Sequence, residues 1–126
     1  MNTKGKFDIE DRLIRFSIVI LEICELIPFT LASRNLVNQL TRCGVAPALL
    51  YGEAQAAESR ADFIHKMRIA LKELRETRVL LKIVYEKPVL RHAKIESALK
   101  ECCELIAIFS TSITTATRNK VLKGKK

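Results

Sequence analysis

Residues 95–116 read IESALKECCELIAIFSTSITTA, and seven apolar positions among them step at alternating intervals of four and three. They are Ile95, Leu99, Cys102, Ile106, Phe109, Ile113 and Ala116. That rhythm predicts one α-helix with all seven on a single stripe. Three further stretches repeat it: Ile9-Leu13-Phe16-Ile20-Ile23-Ile27, Leu36-Leu40-Cys43-Pro47-Leu50-Ala54, and Phe63-Met67-Ala70-Leu74-Thr77-Leu81-Val84. Four such helices in 126 residues can bury their stripes only against one another or against further copies. The expected fold is therefore all-α: an antiparallel, up-down-up-down four-helix bundle packed at about 20°.

Local signals place the ends. Helices are expected at about 9–27, 33–57, 60–86 and 91–119 in a single domain spanning 1–126, with a basic tail over 118–126. Pro28 stops the first helix, and Ser33 reads as the cap of the second. Gly44-Val45-Ala46-Pro47 interrupts that second helix, and a kink is expected where the proline removes a ladder bond. Ser59-Arg60-Ala61-Asp62 fits a capping box that starts the third, and Pro88 closes it. The first helix carries more apolar surface than one stripe needs. Ile14, Ile18 and Leu21 form a second line beside the first, which marks them as an expected oligomer interface.

The amino terminus runs from Lys4-Gly5-Lys6 straight into Asp8, Glu10 and Asp11, with no apolar core of a secretion signal. Arg15, Glu22 and Glu25 interrupt the richest apolar run, Leu13 to Ile27, so no membrane span is expected and the chain reads as cytoplasmic. Cys24 and Cys43 stand alone and Cys102-Cys103 are adjacent, while His65 and His92 lie at no metal-ligand spacing. The cysteines thus read as small hydrophobes, and neither metal nor cofactor is expected. Glu73 and Glu76 resemble half of a carboxylate cluster, but a di-metal bundle needs Glu-x-x-His on two helices and Asp62-x-x-His65 is the nearest approach. An enzyme is not expected.

Charge says more. Of the net +8, the last nine residues supply five charges, Arg118, Lys120, Lys123, Lys125 and Lys126, with no acid among them. On the third helix, Arg68, Lys72 and Arg75 share a face that Arg78 and Lys82 extend. Lys72 and Glu76, four apart, are placed for a local ion pair. Basic faces of this kind suit phosphates, which are held without reference to sequence. Base stacking has little to work with, since the chain has no tryptophan and only Tyr51 and Tyr85 as tyrosines.

One block is more specific than any heptad. Gln39-Leu40-Thr41-Arg42-Cys43-Gly44, Tyr51, Glu53-Ala54 and Ser59-Arg60-Ala61-Asp62-Phe63-Ile64-His65-Lys66 resemble the signature of the bacterial four-helix bundle proteins first noticed in intervening sequences of 23S rRNA genes. Glu73, Glu76 and Glu104-Leu105-Ile106-Ala107-Ile108-Phe109 fit the same pattern, so the resemblance runs from about Phe7 to Asn119. It implies a bundle assembled as a ring, most often a homopentamer, with no established enzymatic activity. It also implies a similarity to the accessory proteins of diversity-generating retroelements, basic pentamers that associate with RNA and a reverse transcriptase. The chain departs from the pattern at Cys43 and Ala46 (serine in the family), Leu50 (asparagine), Arg75 (an acid) and Leu80 (an aromatic). Five copies of a +8 chain would carry about +40, a field able to gather polyanions. Two expectations follow from these residues. One is a cyclic homo-oligomer that binds nucleic acid, structured RNA before DNA, through its basic surfaces. The other is a scaffold that docks a protein partner, such as a nucleic-acid enzyme, without touching nucleic acid.

Overall fold

The computed structural model describes the backbone of residues 8–124 and the side chains of residues 8–119. Four helices follow one another: α1 Ile9–Leu26, α2 Leu31–Gln55, α3 Arg60–Glu86 and α4 Ala93–Gly124. No strand occurs among the described residues.

The caps explain the starts. Asp8 accepts the Asp11 N–H at 3.2 Å, and Glu10 and Asp11 place negative charge at the positive end of α1. Ser59 accepts the Asp62 N–H at 3.0 Å and caps α3, which is one half of the expected capping box. The start of α2 differs from expectation. Thr30 is its cap and Ser33 the reciprocal third residue of a capping box: each side chain accepts the other's backbone N–H at 2.9 Å. Serine suits both positions, and the turn after Pro28 decides between them, with the Ser33 hydroxyl donating to the Pro28 carbonyl at 2.8 Å. Helix α2 then runs unbroken through Pro47, which is buried inside it. Helix α4 continues to Gly124 rather than fraying near Asn119, because no glycine or proline interrupts it before that residue.

Side-chain contacts fix the directions. Ser17 meets Gly44 and Cys24 meets Val37, so α1 and α2 are antiparallel. Glu53 meets Lys66 and Cys43 meets Thr77 between α2 and α3, and Arg68 lines a groove with Ser110 and Thr114 between α3 and α4. Arg12 closes the square, binding Glu101 and Glu104 on α4, the latter at 2.9 Å, while Lys94 reaches Glu22 at 3.2 Å. Each helix thus packs on its two neighbours, and α1 and α3 stand diagonally, parallel to each other.

The core follows the predicted stripes on α1 and α3 closely: Leu13, Phe16, Ile20 and Ile23 meet Met67, Ala70, Leu74, Leu81 and Val84 in one buried cluster. On α4 the stripe is rotated. Ala98 and Leu105 are fully buried, while Leu99 and Ile106 are only half-buried. Both lines share Ile95, Cys102 and Phe109, so periodicity alone allows either. Leu99 and Ile106 pack against the edge of the core cluster instead.

Candidate nucleic-acid interface

The bases of α3 separate into two groups. Arg68, Lys72 and Arg75 are exposed on the side of α3 that faces away from the core, and none takes part in an ion pair among the described residues. Lys82 lies further along the same face, 4.0 Å from Glu86 and so partly neutralised. Arg78 is half-buried and turned towards α4, where its charge acts on the Cys102 thiol. The Lys72–Glu76 pair expected from spacing does not form. Arg42 crosses from α2 and takes both acids instead, at 3.4 Å from Glu73 and 3.9 Å from Glu76.

Between these bases runs a furrow of about 390 Å³, its floor Leu71 and Val79 and its walls Arg68, Lys72, Arg75 and Glu76. A second furrow continues it over the seam with α4, past Arg68 and Leu71 to Ser110, Ile113 and Thr114. Arginine and lysine stems line apolar surface while their heads stay in water. The hydroxyls of Ser110 and Thr114 add neutral donors beside them.

Antiparallel packing connects this face to the end of α4. Eight residues before Arg68 is the first residue of α3, and eight residues after Ser110 is Arg118. The start of α3 and the exposed Arg118 therefore stand at the same end of the bundle. Lys120 and Lys123 belong to the helical backbone that carries on from there, their side chains lying outside the described residues, as do Lys125 and Lys126 altogether.

On the diagonally opposite side, Ile14, Ile18 and Leu21 are 44, 48 and 41 % exposed. Sequence reasoning found this line but missed its counterparts. Val79 and Ile83 are about half exposed on the outer face of α3, and Phe29 and Leu31 stand out from the α1–α2 turn at 82 and 83 %. The signal was present in the apolar run Leu26-Ile27-Pro28-Phe29 and in apolar residues set between the α3 bases. Among the described residues no three of His, Cys, Asp and Glu come together as a metal site, and no helix is long and apolar enough to cross a membrane.

Comparison with known proteins gives this architecture a family. No curated protein matches the chain. Among solved structures, a protein of unknown function from the S23 ribosomal protein family of Bacteroides thetaiotaomicron superposes with a TM-score of 0.75. It is 26% identical, and the match covers 84% of this chain and 98% of that one. The model of the 23S rRNA-intervening sequence proteins matches residues 6–111, taking in every helix and ending before the basic end of α4. With that match over most of its length, the chain belongs to the 23S rRNA-intervening sequence protein family.

Proposed function

We propose that this chain is a non-enzymatic, cytoplasmic, homo-oligomeric bundle that holds nucleic acid, structured RNA before DNA, through its phosphates. The observation that carries the reading is a row of exposed, unpaired bases on α3 with a further base on the neighbouring helix beyond its start. Arg68, Lys72 and Arg75 run along the outer face of α3 towards its middle, and Arg118 on the neighbouring α4 stands level with the start of α3, about 12 Å beyond Arg68 along the bundle; none of the four has an acidic partner in an ion pair among the described residues. Phosphates need only such unneutralised donors at roughly the right spacing, and bind them without reading bases. The exposed line on α1 supports self-association, since contiguous apolar surface on a helix is commonly an interface. Five subunits is the number that the family resemblance implies. Repetition would multiply the cationic face around the assembly.

Anisotropy titrations of a structured RNA at several salt concentrations test this reading. The variant Arg68→Gln/Lys72→Gln/Arg75→Gln, its oligomer mass checked in parallel, should bind more weakly. On a duplex its slope of log affinity against log salt should flatten by about 0.9 for each phosphate that is no longer neutralised. Absence of binding by the unaltered protein at low salt would sink the proposal. A second reading, the protein-docking scaffold, draws on Phe29 and Leu31, two large apolar side chains left almost wholly in water beside an apolar groove of about 450 Å³. It gains ground if RNA binding is absent while the oligomer forms.

A further inference from the structure

Two apolar faces of this bundle point in opposite directions, and their charges complement each other. The outer face of α1 presents Ile14, Ile18 and Leu21 between acids, with Asp11 before them and Glu25 after. The outer face of α3 presents the furrow of Leu71 and Val79 between bases, with Arg68 before it and Lys82 after. Because the outer faces of α1 and α3 lie on diagonally opposite sides of the bundle, one copy cannot bring its own two faces together.

Their heights correspond. Ile20 lies against Gly44, and the Cys43 sulfur is 3.2 Å from the Thr77 hydroxyl, so Ile20 and Thr77 stand within a turn of the same level. Both helices run the same way. Nine residues back from that level are Asp11 on α1 and Arg68 on α3, and five residues on are Glu25 and Lys82. Between them Ile14 comes level with Leu71, and Glu22, beside Leu21, with Val79. At both ends an acid of the ridge thus stands level with a base of the furrow, with apolar side chains between them on each face.

We infer that the outer face of α1 in one copy docks into the outer furrow of α3 in the next. This rests on the self-association proposed above and specifies its geometry. The two patches differ, so the interface is heterologous, and repeated rotation with the helices kept level generates a ring when it closes. The apolar ridge fills the furrow, while the heads of Lys72 and Arg75 reach the rim of the seam on their long stems, where phosphates meet them.

Complementary variants test the pairing. Ile18→Asp spoils the ridge and Val79→Asp spoils the furrow, and both sites are about half exposed in the single chain, so each variant should keep its helical circular dichroism. Each alone should fall short of the mass of the unaltered assembly in light scattering. Mixed in equal amounts, they retain one sound ridge and one sound furrow between them, and should form a capped pair with the mass of two chains and no larger species. Glu25→Lys should weaken assembly by up to about fivefold at low salt, and Lys82→Glu in the same chain should restore it. A Val79→Asp variant that keeps the full mass while Ile18→Asp does not would mean α1 meets α1. That overturns the pairing and leaves self-association standing. So would a mixture that stays monomeric. An unaltered protein that is itself monomeric at tens of micromolar overturns the pairing and the self-association together.

Discussion

Gly44 on α2 lies so close to Ile20 on α1 that a Cβ built on it would stand 2.7 Å from the Ile20 Cγ2. Ile20 is fully buried and has nowhere to retreat. The glycine is therefore there for close approach, and the seam between the two helices tightens around it. Gly44→Ala gains about 1 kcal/mol of helix propensity but meets an overpacking cost of about 1–3 kcal/mol, so the variant should be less stable. Gly52, on the same helix, has nothing within 4 Å of the corresponding position. There the same change should stabilise by up to about 1 kcal/mol, the propensity gain alone. Urea denaturation of the two variants compares them directly.

The rotation of α4 can be read from two truncations. Leu105 is fully buried, and Leu105→Ala should cost about 2–5 kcal/mol through reduced transfer energy and the cavity left behind. Leu99 is half-buried, and Leu99→Ala should cost clearly less. Cys103 is exposed and should accept serine with little change. The reverse order for the two leucines would place the helix a third of a turn away from the face described.

Four free thiols differ sharply in access. Cys103 is exposed, Cys24 half-buried, and Cys43 and Cys102 buried. Burial pushes the Cys102 thiol up from an ordinary 9.0 to about 12, and raises Cys43 for the same reason. A disulfide reagent at pH 8 should modify Cys103 quickly, Cys24 more slowly, and the remaining two only on unfolding. A raised thiol value also sets the sign of a pH effect. Above the ordinary value the unfolded thiol loses its proton while the folded one keeps it, so stability should fall as pH rises from about 9 towards about 12. Cys102→Ala should lessen that slope in alkaline melts, at some cost in packing.

Removal of residues 118–126 takes away five bases and the last two turns of α4, beyond the buried Ala116. The four helices should persist, with far-UV circular dichroism reduced only in proportion to the residues removed. RNA binding should weaken by similar factors for unrelated sequences, because phosphate recognition carries no sequence information. An unchanged salt dependence in the truncated protein would place phosphate binding on Arg68, Lys72 and Arg75 alone.

Much of the fold was legible because its determinants are local and periodic. A stripe such as Leu13-Phe16-Ile20-Ile23 names the buried face of α1 without reference to any other helix, since 3.6 residues per turn fixes which side chains share a side. The cap at Ser59 and the stops at Pro28 and Pro88 are likewise short-range events. The line Ile14, Ile18, Leu21 could also be read as surplus to one stripe, and it is indeed left exposed. The sequence by itself thus determined four amphipathic helices, their order, and an excess of both apolar and basic surface.

What it left open depends on which residues come to face each other. Leu99 against Ala98, and Ile106 against Leu105, are equal candidates by period, and the packing of α4 against its two neighbours, α1 and α3, decided between them. Glu76 has Lys72 at an ideal local spacing, yet Arg42 from another helix claims it, because an interhelical partner can neutralise two acids at once. Arg118 stands level with the start of α3 only because α3 and α4 are antiparallel, and the match between the faces of α1 and α3 exists only once both are set at one height. Periodicity fixes a direction around each helix axis. Level and neighbour are properties of the packed bundle, where a single glycine at Gly44 and a hydroxyl at Thr77 set the register.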